Sequence, residues 1–195
     1  VKADDIDFAI LRCGYVKTLG RPQVDQQWKR NAQECERLGI PYGVYIYSYA
    51  KTVEAAKAEA DHVINTLKGF SPTYPVYFDL EEKSLESTSN RMLLANMASA
   101  FCDKIAAAGY TPGIYANTNW WNNYLTDPVF DQWERWVAQY NSKCSYTRGS
   151  YRLWQCSASG KVDGIVGNVD LDLEFDGAFA SNPVRKTWVK VGSNW

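Results

Sequence analysis

Three carboxylates follow one apolar segment of the chain within four residues. Residues 74–84 read YPVYFDLEEKS, and the acids in this stretch are Asp79, Glu81 and Glu82. Side chains alternate along a strand with a rise of about 3.3 Å per residue, so we expect Asp79 and Glu81 on one side, with Cα atoms about 6 to 7 Å apart, and Glu82 on the other. Two carboxylates in a confined pocket push each other's pKa values apart, as a general acid and its ionised partner require. In the alternative interpretation, Asp79 caps the following segment and Glu81 is solvated.

A second group of acids lies near the end of the chain. The run GNVDLDLEF places Asp170, Asp172 and Glu174 on one face of a predicted strand. Only the acid nearest the mouth of a barrel needs to reach a pocket, and we choose Asp170 for that position. We expect Asp172 and Glu174 to be structural or solvated.

Aromatic residues accompany these acids along the chain. Aromatic faces stack on sugar rings while carboxylates perform acid and base chemistry, so the combination predicts a carbohydrate cleft. The alternative is that each of these aromatic residues belongs to the core. The aromatic set comprises Tyr45, Tyr47, Tyr49, Tyr115, Trp120, Trp121, Trp136, Tyr140 and Trp154.

The elements that must position these side chains alternate between strands and helices. Such alternation predicts a parallel sheet, and seven strands in one domain favour a closed barrel, whose sites lie at the carboxyl ends of the strands. Thr52 is the predicted N-cap of the second helix. The predicted strands are residues 6–14, 40–50, 74–81, 110–117, 135–141, 151–157 and 169–175, and the predicted helices are residues 24–39, 52–67 and 89–109.

Composition excludes several classes of protein. A chain of 195 residues with 46% hydrophobic content is long enough for one well-buried core. The 21 basic and 22 acidic residues form no block of like charge, which argues against a nucleic-acid partner. No apolar run approaches the roughly 20 residues that span a bilayer, and no signal-peptide pattern opens the chain, so we expect no membrane partner.

The five cysteines show no metal-binding pattern. They lack any C-x-x-C spacing and the only histidine is His62, so we expect neither a metal nor another cofactor. Cys144 and Cys156 flank a turn and could face each other as a disulfide, which would indicate an oxidising compartment. The other cysteines are predicted to be buried thiols: Cys13, Cys35 and Cys102.

Seven pieces of the chain, taken together and in order, carry a resemblance to a known family. The pieces are DFAILRCGY, VDQQWKRNAQECERLGIPYGVYIYSYA, YPVYFDLEE, GYTPGIYANTNWW, RWVAQYN, LWQCSASGKVDGI and NVDLDLEF, and the resemblance covers residues 6–175. In these pieces the sequence resembles the lysozymes of glycoside hydrolase family 25, the muramidases of bacteria, phages and fungi.

The resemblance implies a fold, a reaction and a set of site residues. The fold would be α/β, a modified, flattened TIM-like β/α barrel, and the enzyme would cleave the β-1,4 bond between N-acetylmuramic acid and N-acetylglucosamine in peptidoglycan with retention. Glu81 would be the proton donor, and Asp79 would either attack the anomeric carbon or position the substrate's N-acetyl group to do so. Asp170 would give electrostatic support. The implied groove residues are Tyr47, Tyr115, Trp136, Tyr140 and Gln155.

The chain departs from the family pattern at its start. Family members begin with a strand of the type G-I-D-V-S, and no such run precedes residue 6, so we expect a barrel that lacks its first strand and has a gap there. We assign residues 1–180 to the barrel domain. Residues 181–195 would be a linker and the start of an aromatic cell-wall-binding repeat, KTWVKVGSNW.

The resemblance also implies a location, an oligomeric state and a binding partner. We expect a secreted, cell-wall-associated monomer whose partner is the peptidoglycan glycan strand. Two other classes stay open: a non-catalytic module that binds cell-wall glycan, and a chitinase-like barrel glycosidase. The latter usually carries a longer D-x-x-D-x-D-x-E run, of which this chain has only the end.

Overall fold

The computed structural model describes residues 6–17, 21–175 and 185–191, which form one mixed sheet with helices. The strands are β1 (Ala9–Lys17), β2 (Arg21–Val24), β3 (Tyr42–Tyr47), β4 (Val76–Asp79), β5 (Pro112–Asn117), β6 (Glu134–Ala138), β7 (Leu153–Gly160), β8 (Val169–Glu174) and β9 (Arg185–Val191). The α-helices are α1 (Trp28–Leu38), α2 (Val53–Thr66), α3 (Arg91–Ala107) and α4 (Thr118–Asn123). None of the helices in this described part of the chain is long and apolar enough to cross a bilayer.

The sheet is parallel in its centre and antiparallel towards one end. Its strand order is β2-β1-β3-β4-β5-β6-β7-β8-β9. Strands β1 and β3 to β7 run parallel, whereas β8 is antiparallel to both of its neighbours. The α/β class and all seven predicted strands are therefore confirmed, and the sheet is mixed where we expected it to be parallel.

Strand β9 pairs with both β8 and β1. It lies antiparallel to β8 and also pairs in parallel with β1, where Ile10 aligns with Lys190 and Leu11 with Val191. The expected gap at a missing first strand stays a prediction. The assignment of residues 181–195 to a linker and a repeat stays a prediction.

Strand β2 lies mainly in the connection between the first predicted strand and the first predicted helix. The segment after Tyr15 contains glycine and proline, which argue for a connection, yet β1 continues to Lys17 and pairs antiparallel with β2. Pro22 is accommodated because β2 lies at the edge of the sheet, where a missing backbone N–H breaks no ladder.

Alternating side chains of the sheet build two separate clusters. One cluster, on the face away from the helices, is mainly aromatic and includes Tyr45, Tyr77, Tyr115 and Trp136. The residues between them in sequence face the helices instead, as in the stacked pair Phe78 and Phe101, whose ring centroids lie 4.2 Å apart. Both faces are apolar because helices cover one and the curled sheet encloses the other.

Local signals correctly predicted several helix ends and the buried thiols. The hydroxyl of Thr52 accepts the N–H of Ala55 at 3.1 Å and caps α2 as predicted. Helix α1 ends at Gly39, whose φ of 63° suits glycine. The predicted buried thiols Cys13, Cys35 and Cys102 are buried, whereas the disulfide is not formed, since Cys144 and Cys156 are both free.

Ending the chain at residue 180 is expected to destabilise the fold, because β1 and β8 would each lose a hydrogen-bonded neighbour. At about 1 kcal/mol for each backbone hydrogen bond lost, we expect a loss of at least about 2 kcal/mol. For a chain of this size that lowers Tm by about 4 to 8 °C. Differential scanning calorimetry would measure it, with a chain that ends after Val191 as the control. Equal Tm values for the two truncated chains would contradict the pairing of β9.

Candidate active site

Asp79 lies at the carboxyl end of β4, on the aromatic face of the sheet. It follows Tyr77 by two residues and shares its side of the strand, as alternation requires. Tyr47 of β3 and Tyr115 of β5 align with it in the neighbouring strands. The Asp79 side chain is 0% exposed, so it lies in the floor of the site between two tyrosines.

Glu81 lies on the same side as Asp79 because the ladder runs one residue beyond the strand. The N–H of Leu80 donates to the carbonyl of Tyr115 at 3.0 Å, and Leu80 is buried towards the helices. Glu81 then points back towards the aromatic face, where it lines two cavities of about 440 and 360 Å³. The predicted pairing of Asp79 and Glu81 on one side agrees with this geometry.

The first cavity carries charge. It is lined by Tyr47, Glu81, Glu82, Lys83, Glu86 and Asn117. Glu82 therefore faces the same space as Glu81, contrary to our expectation that it points elsewhere. The chain turns into a 3-10 helix (Lys83–Leu85) directly after Glu82, so strand alternation no longer applies there. It is Glu82, and not Asp79, that caps this turn, by accepting the N–H of Ser84 at 3.1 Å.

The second cavity is lined by uncharged groups apart from Glu81. Its residues are Glu81, Tyr115, Asn117, Thr118, Asn119, Ala138, Gln139 and Tyr140. Glu81 and Asn117 line both cavities, so Glu81 stands at their junction. Hydroxyl and amide groups of this kind suit the hydroxyl and acetamido groups of a neutral sugar.

Gln155 connects the second cavity to the acid on β8. Its Oε1 accepts hydrogen bonds from the hydroxyls of Tyr115 at 2.9 Å and Tyr140 at 3.0 Å. Its Nε2 donates to Asp170 at 3.2 Å. Because β8 runs antiparallel, its first residues lie at the carboxyl end of the parallel strands, which places Asp170 at the mouth. Asp172 and Glu174 are buried deeper, in line with a structural role.

Trp136 supports the site from below. It is 0% exposed, so its ring does not line the cleft in this structure, and this corrects our prediction. Its Nε1 donates to Asp172 at 2.6 Å, and its ring packs against Tyr115 with centroids 4.6 Å apart. The curled sheet closes around Trp136, which is why an indole at this position becomes core.

Most of the other predicted rim aromatics also belong to the core. The buried members are Tyr45, Tyr115, Trp120, Trp121 and Trp154, and among them Tyr115 also lines the second cavity. Tyr49 and Tyr140 are 44% and 60% exposed, and Tyr47 is half-buried against Tyr49 with ring centroids 4.8 Å apart. These three rings are available to stack on a sugar.

Burial and neighbouring groups shift the pKa values of Tyr47 and Glu82 in opposite directions. Burial and the carboxylates of Glu81 and Asp79 raise the pKa of Tyr47 well above its usual value, so its hydroxyl remains a donor. Hydrogen bonding to Ser84 and the nearby Lys51 lower the pKa of Glu82. A lowered pKa makes Glu82 a poor proton donor, and Glu81 is our candidate acid because it lines both cavities.

Asn117 and Glu86 are among the lining residues that the sequence analysis missed. Asn117 lines both cavities, and its Oδ1 also accepts the N–H of Trp120 at 3.1 Å to cap α4. Its position at the carboxyl end of β5 was a usable signal. Glu86 lines the first cavity and accepts the indole N–H of Trp120 at 2.9 Å, and no local pattern marks it. Across the part of the chain that the structure describes, no group of three or more potential ligands is arranged to hold a metal.

Gln155→Leu is expected to damage both stability and turnover, because the hydroxyls of Tyr115 and Tyr140 lose their shared acceptor. We expect about 1 to 3 kcal/mol lower stability and a kcat/KM lower by about 10- to 100-fold. Thermal unfolding and initial rates on cell walls would measure the two effects. Gln132→Leu, at an exposed position outside the cleft, is the matched control. A change in kcat/KM below 3-fold would show that Gln155 does not organise the cleft.

Comparison with known proteins places these features in a family. The sequence model of Glycosyl hydrolases family 25 matches residues 2–165. The chain is 28% identical over 171 residues to an autolytic lysozyme of Clostridium acetobutylicum, a match that covers 87% of this chain and 51% of the relative. The chain spans between half and three fifths of the length of the curated relatives it matches.

Solved structures share the fold. The modular autolysin LytC of Streptococcus pneumoniae, in complex with a synthetic peptidoglycan ligand, is 28% identical with a TM-score of 0.77, over 88% of this chain and 41% of that one. The spore cortex lytic enzyme SleM of Clostridium perfringens has the same TM-score of 0.77 at 23% identity, over 91% of this chain and 62% of that one. At 23% identity, the comparison with SleM shows a similar fold and nothing further.

Proposed function

The chain belongs to family 25 of the glycosyl hydrolases, and on that premise we propose that it hydrolyses the β-1,4 bond between N-acetylmuramic acid and N-acetylglucosamine in peptidoglycan, with retention of anomeric configuration. One observation carries this proposal: Glu81 stands at the junction of two cavities, beside the buried Asp79. A general acid must reach the glycosidic oxygen that joins two sugars. With one sugar in each cavity, that oxygen would lie at the junction, next to Glu81.

Each acid has a role in this proposal. Glu81 protonates the leaving oxygen and then, as a carboxylate, activates the water that completes the reaction. Asp79 either attacks the anomeric carbon or orients the substrate's N-acetyl group as the internal nucleophile. Asp170 acts through Gln155, whose bonds to Tyr115 and Tyr140 shape the second cavity.

The similar proteins support the choice of substrate. The relative from C. acetobutylicum is an autolytic lysozyme, and LytC was solved with a synthetic peptidoglycan ligand. We extend this to a cell-wall-associated, extracellular monomer with no nucleic-acid or membrane partner. The flattened barrel is part of the same proposal, and so is the assignment of residues 181–195 to a linker and the start of a cell-wall-binding repeat.

Product analysis on purified peptidoglycan tests the reaction. We expect loss of turbidity and new reducing ends that, after borohydride reduction, are recovered as reduced muramic acid. Reduced glucosamine would instead indicate cleavage of the other glycosidic bond. Turnover of chitin in preference to peptidoglycan would favour the chitinase-like alternative. Binding to cell walls without new reducing ends would favour a glycan-binding module.

A further inference from the structure

The carboxyl group of Glu59 lies outside the cleft but contacts the segment that builds one of its walls. Glu59 is on α2 and only 2% exposed. Its Oε1 accepts the N–H of Tyr49 at 3.1 Å, and the hydroxyl of Ser48 also bonds to the carboxyl group. Within the described part of the chain its Oε2 has no hydrogen-bond partner, and no cation pairs with it. Burying an acid without a countercharge costs free energy. We therefore attribute the role of Glu59 to the hydrogen bonds that it makes.

The segment that Glu59 holds is connected to both candidate catalytic acids. The N–H of Ser48 donates to the carbonyl of Asp79 at 3.1 Å, so this segment fixes the last residue of β4. On either side of Ser48 are Tyr47, which lines the first cavity together with Glu81, and Tyr49, whose ring packs against the ring of Tyr47. A shift of the segment would therefore move the Tyr47 and Tyr49 rings, whereas Asp79 is also held by the pairing of β4 with β3 and β5.

We propose that Glu59 is a positioning residue for the glycan cleft, which holds the backbone of Ser48 and Tyr49 and thereby sets the place of the Tyr47 and Tyr49 rings. This inference rests on the proposed function. Glu59 does not touch the substrate. Its effect is on how well the cleft accepts the glycan, and chemistry at Glu81 proceeds once the glycan is bound.

The pH dependence of Tm gives an independent check on the burial of the Glu59 carboxyl group. Burial raises its pKa from 4.5 to about 7, against the opposing hydrogen bonds from Ser48, Tyr49 and Ala50. The folded protein therefore holds this proton more tightly than the unfolded chain does. That contribution to stability is complete below pH 4.5 and is lost as the pH rises to about 7. We expect Tm of the wild type to fall over this interval by more than Tm of Glu59→Gln, which carries no titrating group at this position.

Three variants test the positioning role. Glu59→Gln keeps an oxygen that can accept the N–H of Tyr49, and we expect its KM and kcat on soluble glycan strands to stay within 2-fold of the wild type. Glu59→Leu removes the acceptor, and we expect KM to rise at least 5-fold with kcat changed less than 2-fold. Glu54→Leu makes the same replacement at an exposed position on α2 and is the matched control, with an unchanged KM.

The outcomes separate this inference from the proposed function. A wild type that releases no reducing ends from peptidoglycan overturns the proposed function itself. If the wild type is active, a KM of Glu59→Leu equal to that of the wild type overturns the positioning role. Should Glu59→Leu not fold, Glu59→Asp replaces it, since the shorter side chain withdraws the carboxyl from Tyr49 and is expected to raise KM in the same way. A fall in kcat alone, with KM unchanged in both variants, would assign Glu59 to stability only.

Discussion

Glu81→Gln is expected to abolish hydrolysis of peptidoglycan while leaving the fold intact. The amide keeps the size of the side chain and cannot donate a proton to the leaving oxygen, and general acid catalysis contributes about 10²- to 10⁴-fold. Glu81 is partly exposed at the junction of the two cavities, so its replacement removes no buried contact. Release of reducing ends would measure activity, and circular dichroism and Tm would confirm the fold.

Glu82→Gln provides the comparison for this experiment. Glu82 faces the first cavity with Glu81, but its lowered pKa keeps it ionised, and it binds the N–H of Ser84. We expect this variant to keep more than a tenth of the wild-type rate. Retention of more than a few per cent of activity by Glu81→Gln, or a loss in Glu82→Gln as deep as in Glu81→Gln, would remove Glu81 from its assigned role.

Asp79→Asn is expected to reduce kcat by at least about 100-fold, whichever route the reaction follows. A carboxylate is needed either to attack the anomeric carbon or to orient the N-acetyl group, and the amide does neither well. Asp79 is completely buried between Tyr47 and Tyr115, so the isosteric replacement tests its charge without opening a cavity. Initial rates at saturating substrate would measure the loss.

The comparison residue for Asp79 is Asp170. It reaches the cavity through Gln155, so we expect Asp170→Asn to lose about 10-fold, less than Asp79→Asn. Equal losses, or an Asp79→Asn variant with more than a tenth of wild-type kcat, would contradict the assignment.

A glycosyl fluoride substrate with the Glu81→Gln variant distinguishes direct attack by Asp79 from attack by the N-acetyl group. Fluoride leaves without protonation, so the first step does not need Glu81. Covalent attachment of the sugar to Asp79, detected by mass spectrometry, indicates direct attack.

Short-range features of the site were predictable from the sequence. Asp79 and Glu81 share one side because strand alternation is a local property, and the ladder continues through Leu80. The same alternation failed for Glu82, because the backbone leaves the strand there and enters a 3-10 turn. Local chemistry likewise predicted the cap at Thr52 and the helix end at Gly39.

Chain order and side-chain pattern therefore determined by themselves the α/β class, seven of the strands, the paired acids and the resemblance to a family. Only the tertiary structure decided that Trp136 lies beneath the cleft, that Gln155 joins Tyr115 to Asp170, and that β9 closes the sheet between β8 and β1. The reason is physical. Alternation and capping depend on neighbours within a few residues. Burial and hydrogen-bond partners depend instead on the curvature and register of strands, which here bring together Tyr115 and Gln155, 40 residues apart, and align Ile10 of β1 with Lys190 of β9.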